Sequence, residues 1–282
     1  MRTVEEALEL VAEAAGEPRR TVETVPVTSA RGRVLAQDVA MDHDVPPFRR
    51  SAMDGFALRG DSLAVGASFR LVGEVVAGSW PGMTVGVGEA VRIMTGAPVP
   101  DGADYVVPVE WATEEAGTVR IDEVHRGPNL VEQGAHVRAG DRVLAAGTVL
   151  TPASLGVLAS AGAARLDVAA RPTISILGTG TELVGVDQAP GPGAIRNSNG
   201  YSLAGQVERV GAVPNDLGIA PDDEDALRAR IREGLEADVL LLSGGVSKGV
   251  LDLVPAALAA EGVAEVFHRW AVQPGGPRWF GT

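Results

Sequence analysis

Apolar positions Val4, Leu8, Val11 and Ala15 recur at helical spacing, and Thr3, Val4, Glu5 and Glu6 have the order of a capping box: a hydroxyl for the third amide and a carboxylate to reach back. Gly16 closes this first helix. Beyond Val25 the period changes. As far as Ile121 the chain runs in short β-branched stretches punctuated by Gly, Pro and Asp, such as 69–76 and 90–94, which predict antiparallel strands and tight turns. Residues 142–150, a capped alanine-rich helix over 151–161 and a strand over 164–168 predict a return to the N-terminal layer, so the first domain is split by the β-rich insertion.

After Arg171 and Pro172 the pattern changes again. The apolar run 173–177 ends at Gly178, Asn199 opens a helix carrying Leu203, Val207 and Val210, and Asp222 or Asp223 caps another carrying Leu227, Ile231 and Leu235. Residues 238–242 read as a second buried strand, and 243–247 turn out of it toward a helix around 253–260. Strands alternating with helices of this length predict a parallel sheet in a three-layer α/β/α arrangement, with ligands beyond the carboxyl ends of the strands. The expected fold is therefore multidomain α/β: a split N-terminal α+β domain (1–42 and 128–170), an inserted β-rich domain (43–127) and an α/β domain (171–282).

Composition narrows the chemistry. Of 282 residues, 45% are apolar and 22% charged, a globular balance, and Lys+Arg 24 against Asp+Glu 37 gives a net charge of −13. So acidic a surface repels a phosphate backbone or an anionic bilayer, which excludes nucleic acid and membrane partners but not a local anion site. With no cysteine there is no disulfide, thiolate nucleophile or thiolate-bound metal, and the four histidines are scattered. No apolar stretch reaches the roughly 18 residues of a spanning helix, and the N-terminus carries no targeting pattern. A soluble cytoplasmic protein is the simplest expectation. Of the 24 basic residues only Lys248 is lysine.

Two loops leave the carboxyl ends of apolar strands: Gly178, Thr179, Gly180, Thr181 and Glu182, and then Ser243, Gly244, Gly245, Val246, Ser247, Lys248 and Gly249. Their glycines let backbone amides approach an anion, their hydroxyls can donate, and the lone lysine is a compact point charge. Neither loop has a Walker or dinucleotide-binding spacing, so an anion site and plain turn glycines both fit. A second constellation joins Asp44, Val45, Pro46, Pro47 and Phe48 to Ser51, Ala52, Met53, Asp54 and Gly55, and to Arg92, Ile93, Met94, Thr95, Gly96 and Ala97. Asp54 between Met and Gly offers a hard oxygen for Mg²⁺ or a general base, or else caps a turn. Thr95 before Gly96 carries the same ambiguity.

These motifs, with Gly32, Arg33, Val34 and Leu35 ahead of them, closely resemble the molybdopterin molybdenumtransferase family, which includes bacterial MoeA and the gephyrin E domain. Ser243 to Ser247 with Asp252 resemble its molybdopterin-binding domain, and the similarity runs in order over nearly the whole chain. The resemblance implies Mg²⁺-dependent insertion of molybdate into adenylylated molybdopterin, with release of AMP. It also implies an elongated homodimer formed through the split N-terminal domain, with a molybdopterin adenylyltransferase as a candidate partner. Carried over by position, Asp54 matches the essential carboxylate and Thr95 its hydroxyl neighbour. Gly178, Thr179, Glu182, Asp222, Asp223, Ser243, Gly244, Gly245, Ser247, Lys248 and Asp252 match substrate-binding positions, and Asp54, Glu182 and Asp252 the metal-binding acids.

The chain also departs from the family pattern. Thr181 replaces the Asp of Gly-Asp-Glu-Leu, Asn197 stands where an Asp is common, and after Asn129 the residues Val131, Gly134, Ala135 and His136 lack the usual Arg and two acids. Gln273, Pro274, Gly275, Gly276 and Pro277 have lost both lysines of Lys-Pro-Gly-Lys-Pro, a charge that Lys248 or Arg278 is expected to replace in part. The sequence stops before the family's Pro-Gly-Asn-Pro segment and C-terminal β domain, and whether the frame continues past Thr282 separates a fragment of an ordinary enzyme from a truncated relative. The alternative reading is a divergent or truncated relative that binds molybdopterin or a partner with little insertase activity.

Overall fold

The computed structural model describes residues 2–16, 21–124, 127–244, 253–272 and 278–282. Contacts divide the chain into two compact units, Val25–Leu166 and the pair of segments Met1–Thr24 and Asp167–Thr282.

Within Val25–Leu166 the main element is a six-stranded sheet built from β1 (Gly55–Leu58), β2 (Ser68–Val75), β3 (Glu89–Ile93), β4 (Tyr105–Pro108), β5 (Ala112–Glu115) and β6 (Thr118–Ile121), in the order β4-β1-β3-β2-β6-β5. All four residues of β1 are buried because the sheet is covered on both faces. Phe56 and Leu58 pack with Phe69, Val107 and Ile121, whereas Ala57 faces Val75, Ile93 and Val106, the alternation a pleated strand imposes. The expected antiparallel pattern needs one correction. β2 and β3 pair in parallel, Arg70 opposite Glu89 through Val75 opposite Ile93. The connection 76–88 is long enough for the crossover that parallel neighbours require, where a two-residue turn would have forced a hairpin.

The returning chain of this unit pairs with the outgoing one. Arg142–Leu144 runs antiparallel to Val39–Ala40 and Leu130–Val131 to Arg50–Ser51, while Leu35 donates to the Thr148 carbonyl at 2.9 Å. The helix α2 (Pro152–Ser160) follows, with Thr151 as its cap and proline in its first turn.

In the other unit α1 (Val4–Ala15) begins on a complete capping box: Glu6 N–H donates to Thr3 Oγ1 at 3.2 Å and Thr3 N–H to Glu6 Oε2 at 3.0 Å. Gly16, at φ 59°, ends it. The face read as apolar is nevertheless solvent-facing, Leu8 being 59% exposed, and Ala7 is the buried residue of the helix.

The larger segment of this unit holds a parallel sheet of β7 (Thr173–Thr179), β8 (Val213–Ala220) and β9 (Val239–Ser243), in the order β8-β7-β9. Ile176, Val207 and Ala212 form the core under α3 (Ser198–Arg209). Leu177, Leu227, Ile231 and Leu258 form the opposite core under α4 (Glu224–Gly234) and α5 (Val254–Ala260), giving the three layers expected. Some details differ from the sequence reading. Asn197, not Asn199, caps α3, its side-chain oxygen accepting from Gly200 N–H at 3.1 Å. Asp223 rather than Asp222 caps α4. β9 is only half-buried, since among the described residues it pairs on one side alone. Beyond α5 an antiparallel pair joins β10 (Glu265–His268) to β11 (Trp279–Gly281). Among the described residues no helix is long and apolar enough to cross a membrane.

Candidate active site

Asp54 is placed by a glycine that cannot be replaced locally. A Cβ on Gly55 would lie 2.0 Å from the Val107 carbonyl oxygen, so β1 and β4 can meet only with glycine at that point. Asp54 therefore emerges at the very start of a buried strand, itself exposed. A second turn, closed by Ala97 N–H on the Met94 carbonyl, comes to meet it: Ser51 N–H donates to the Ala97 carbonyl and Gly96 N–H to that of Ser51, at 3.0 and 2.9 Å. Gly96 takes φ 81°, which a side chain would disfavour.

The two turns bring together residues far apart in sequence. Thr95 donates twice to Asp54 Oδ1, from its backbone N–H at 2.6 Å and from its hydroxyl at 2.8 Å. The backbone bond first and the hydroxyl second hold the Asp54 carboxyl below its ordinary range. Asp54 is thus a fixed, ionised carboxylate, with Oδ2 free of hydrogen bonds among the described residues.

In the three-layer unit a pocket of about 130 Å³ opens at the carboxyl ends of β7 and β9, lined by Thr179, Glu182, Asn197, Asn199, Ser243 and Gly244, with Leu183, Ile195, Arg196 and Ser198 completing the wall. Gly178 lies behind it, where a Cβ would come within 3.0 Å of the Asn197 amide nitrogen. Asn199 Nδ2 donates to Ser243 Oγ at 2.8 Å, so the Ser243 hydroxyl proton is free to donate elsewhere. Thr179 is 4% exposed, and its buried Oγ1 has no hydrogen-bond partner. Hydroxyls, side-chain amides and the N-terminus of α3 together make a wall that donates to an acceptor-rich ligand such as a phosphate.

Gly244 closes this wall by near contact. It sits at φ 108°, and a Cβ there would fall 2.3 Å from the Thr179 carbonyl oxygen. Gly244→Ala is expected to cost about 1–3 kcal/mol of unfolding free energy, read from urea melts. An unchanged midpoint would mean that this loop shifts without resistance.

Of the other expected residues, Asp222 and Asp223 do not line the pocket. Asp222 accepts from Thr181 N–H at 3.1 Å and from the Thr181 hydroxyl at 3.3 Å, and Asp223 is engaged as a helix cap. The family's Asp at position 181 would face Asp222 with like charge, whereas threonine donates to it. Gly245, Ser247, Lys248 and Asp252 lie outside the described residues, as do Gln273 and Gly276. Arg278 lies over the Trp270 ring at 5.8 Å. Asp54 and Glu182 belong to different units, and among the described residues no three His, Asp or Glu converge into a metal-binding group. Sequence reasoning treated Asn199 as a helix opener and did not single out Arg196. Arg196 ends, and Asn199 closely follows, a two-residue strand, Ile195–Arg196, too short to register as periodicity.

Comparison with known proteins accounts for both units. Residues 2–162 match the model of the MoeA N-terminal region (domain I and II), and residues 175–282 that of the probable molybdopterin binding domain. The molybdopterin molybdenumtransferase of Synechococcus elongatus is 36% identical over 97% of this chain, and that of Bacillus subtilis 37% identical over 90%. The chain spans 70% and 61% of the length of those two relatives. The crystal structure of the molybdopterin biosynthesis MoeA protein from Pyrococcus horikoshii superposes with TM-score 0.86 at 30% identity, covering 100% of this chain and 72% of that one. With family models matched over residues 2–162 and 175–282, and a relative 36% identical over 97% of this chain, the chain belongs to the molybdopterin molybdenumtransferase family.

Proposed function

We propose that this protein works in molybdenum cofactor biosynthesis, inserting molybdate into adenylylated molybdopterin with release of AMP. The observation that carries this reading is the Asp54–Thr95 pair: a carboxylate kept ionised, aimed out of a rigid turn and left with one oxygen uncommitted. The reaction breaks a pyrophosphate-type bond while an oxyanion is loaded, and both events gather negative charge. Donor groups fixed before reaction stabilise such charge without reorganising. Thr179, Asn199 and Ser243 supply donors for the substrate phosphate in the pocket of the three-layer unit, and Thr95 keeps Asp54 from protonating.

Mg²⁺ suits the donor set at Asp54. It keeps several waters and takes one or two protein carboxylates together with substrate phosphates, rather than a protein-only cage. The free Oδ2 of Asp54 is such a ligand; Glu182 and Asp252 are proposed as metal-binding acids from the motifs alone. When bound, the ion supplies charge neutralisation at the phosphate. The protein is further proposed to act in the cytoplasm as a homodimer, receiving its adenylylated substrate from an adenylyltransferase; the purified chain is expected to sediment at twice its 29.0 kDa mass, and sedimentation at the single mass overturns the dimer.

Rescue of molybdoenzyme activity in cells lacking their own insertase tests the reaction. Wild type is expected to rescue and Asp54→Ala to fail at equal soluble abundance; failure of both overturns the insertase reading for this chain. The loss of the motif lysines at Gln273 and Gly276 favours the second reading, a relative that binds molybdopterin without inserting metal. That reading predicts no rescue with molybdopterin affinity retained.

A further inference from the structure

Arg50 is held beside the Asp54 turn with its charge unmatched. Its backbone is fixed on two sides, opposite Val131 in one strand pair and opposite Pro98 in an isolated bridge. Its Nε is buried and has no hydrogen-bond partner, and no carboxylate lies within ion-pair distance among the described residues. The preceding Arg49, which alternates to the other side of the strand, is by contrast tied down, donating to the Ala103 carbonyl at 2.6 Å. A Cβ built on Gly96 would stand 3.9 Å from Arg50 Nη1, which places the guanidinium against the turn that carries Thr95. Both hydrogen bonds to Asp54 Oδ1 come from Thr95 and none from Arg50, so that carboxylate does not occupy the guanidinium either.

A guanidinium loses its hydration when Nε is buried, and native structures keep few such donors unmatched. Those that persist await water, an ion or a substrate. The arginine fork matches two oxygens of one oxyanion at once, and the chain's acidic surface makes an unmatched arginine an uncommon place for an anion to settle. We propose that Arg50 binds a tetrahedral oxyanion at the Asp54–Thr95 turn, either a phosphate group of the substrate or a free dianion of the molybdate type. The inference rests on the reading of this turn as a reaction site for its purpose, and it adds a cationic subsite to the carboxylate already described. A carboxylate and a guanidinium on one rigid turn can then hold a cation and an oxyanion side by side.

The test is the Nε–Hε resonance of Arg50 in the wild-type chain, assigned by its disappearance in Arg50→Lys. Titration with molybdate, inorganic phosphate or AMP is expected to shift it, and Arg50→Gln to weaken oxyanion binding by about tenfold or more in calorimetry, as for loss of one charge-assisted pair. Shifts with molybdate alone assign the subsite to the free dianion, and shifts with AMP assign it to a substrate phosphate; either supports the proposal. No shift with any of the three, or wild-type affinity in Arg50→Gln, overturns it. Binding is read without turnover, so a failed rescue with a surviving shift would remove the reaction and leave the subsite standing.

Discussion

Asp54→Asn is expected to lower the rate of cofactor formation about 10²–10⁴-fold while leaving the fold intact, the range spanned by loss of a positioned acid–base group. The asparagine oxygen can still accept both bonds from Thr95, so the two turns stay joined; what disappears is the charge and the second oxygen. Single-turnover release of AMP, compared with urea melts of the same preparation, separates the two effects. Activity near wild type would remove Asp54 from the reaction. The pH profile adds a sign. Because hydrogen bonds depress its folded pKa, Asp54 stays charged down through the usual carboxylate range, and the charge is lost only as pH falls through the lowered value. Thr95→Val removes the hydroxyl bond but keeps the backbone one, so the acid limb of the rate is expected to move to higher pH. A limb that does not move would mean some other group sets it.

The largest structural effect is expected at Gly55→Ala. A Cβ there meets only main chain: Val107 O at 2.0 Å, Val107 C at 2.8 Å and Pro108 Cα at 3.0 Å. No side chain can rotate away, so β1 must part from β4, the edge strand, and β1 is an interior strand paired with both β3 and β4. The loss is expected to exceed about 3 kcal/mol, beyond ordinary overpacking, and to abolish the cooperative melt of the Val25–Leu166 unit in circular dichroism. Gly82→Ala, where a Cβ meets nothing within 4 Å, is the neutral comparison. Equal midpoints for the two variants would contradict this account.

What was legible in the sequence is what short-range chemistry determines. The capping box at Thr3 and Glu6, the glycine stop at Gly16 and the cap at Thr151 each involve residues three or four apart, so order alone reveals them. Alternation showed that 69–76 is a strand but not which strand it joins, and the parallel pairing of β2 with β3 is a tertiary fact. Two asparagines stand two residues apart at the start of α3, and the short Ile195–Arg196 strand before them decides which one caps. The motifs named Asp54 and Thr95 separately; only the fold shows one carboxylate oxygen taken twice and the other left free. The same limit hid Arg50. In a chain whose cations are nearly all arginine, composition drew attention to Lys248, yet the distinguishing property is being unpaired, and that depends on neighbours brought in from elsewhere.

The division of the chain has a consequence for how the protein is made. Val25–Leu166 is one continuous stretch and can close its sheet while the remainder is still being translated. The helix α1 emerges first but belongs to the other unit, where Ala271 N–H donates to the Arg2 carbonyl at 2.7 Å. At about 5–20 residues per second it must wait on the order of ten seconds or more, through synthesis of the whole intervening unit, before its partners exist. During that interval Ala7, the residue this helix buries in the folded chain, has nothing yet to rest against, and Glu5, Glu6, Glu9 and Glu13 around the exposed Leu8 and Val11 keep the nascent segment soluble.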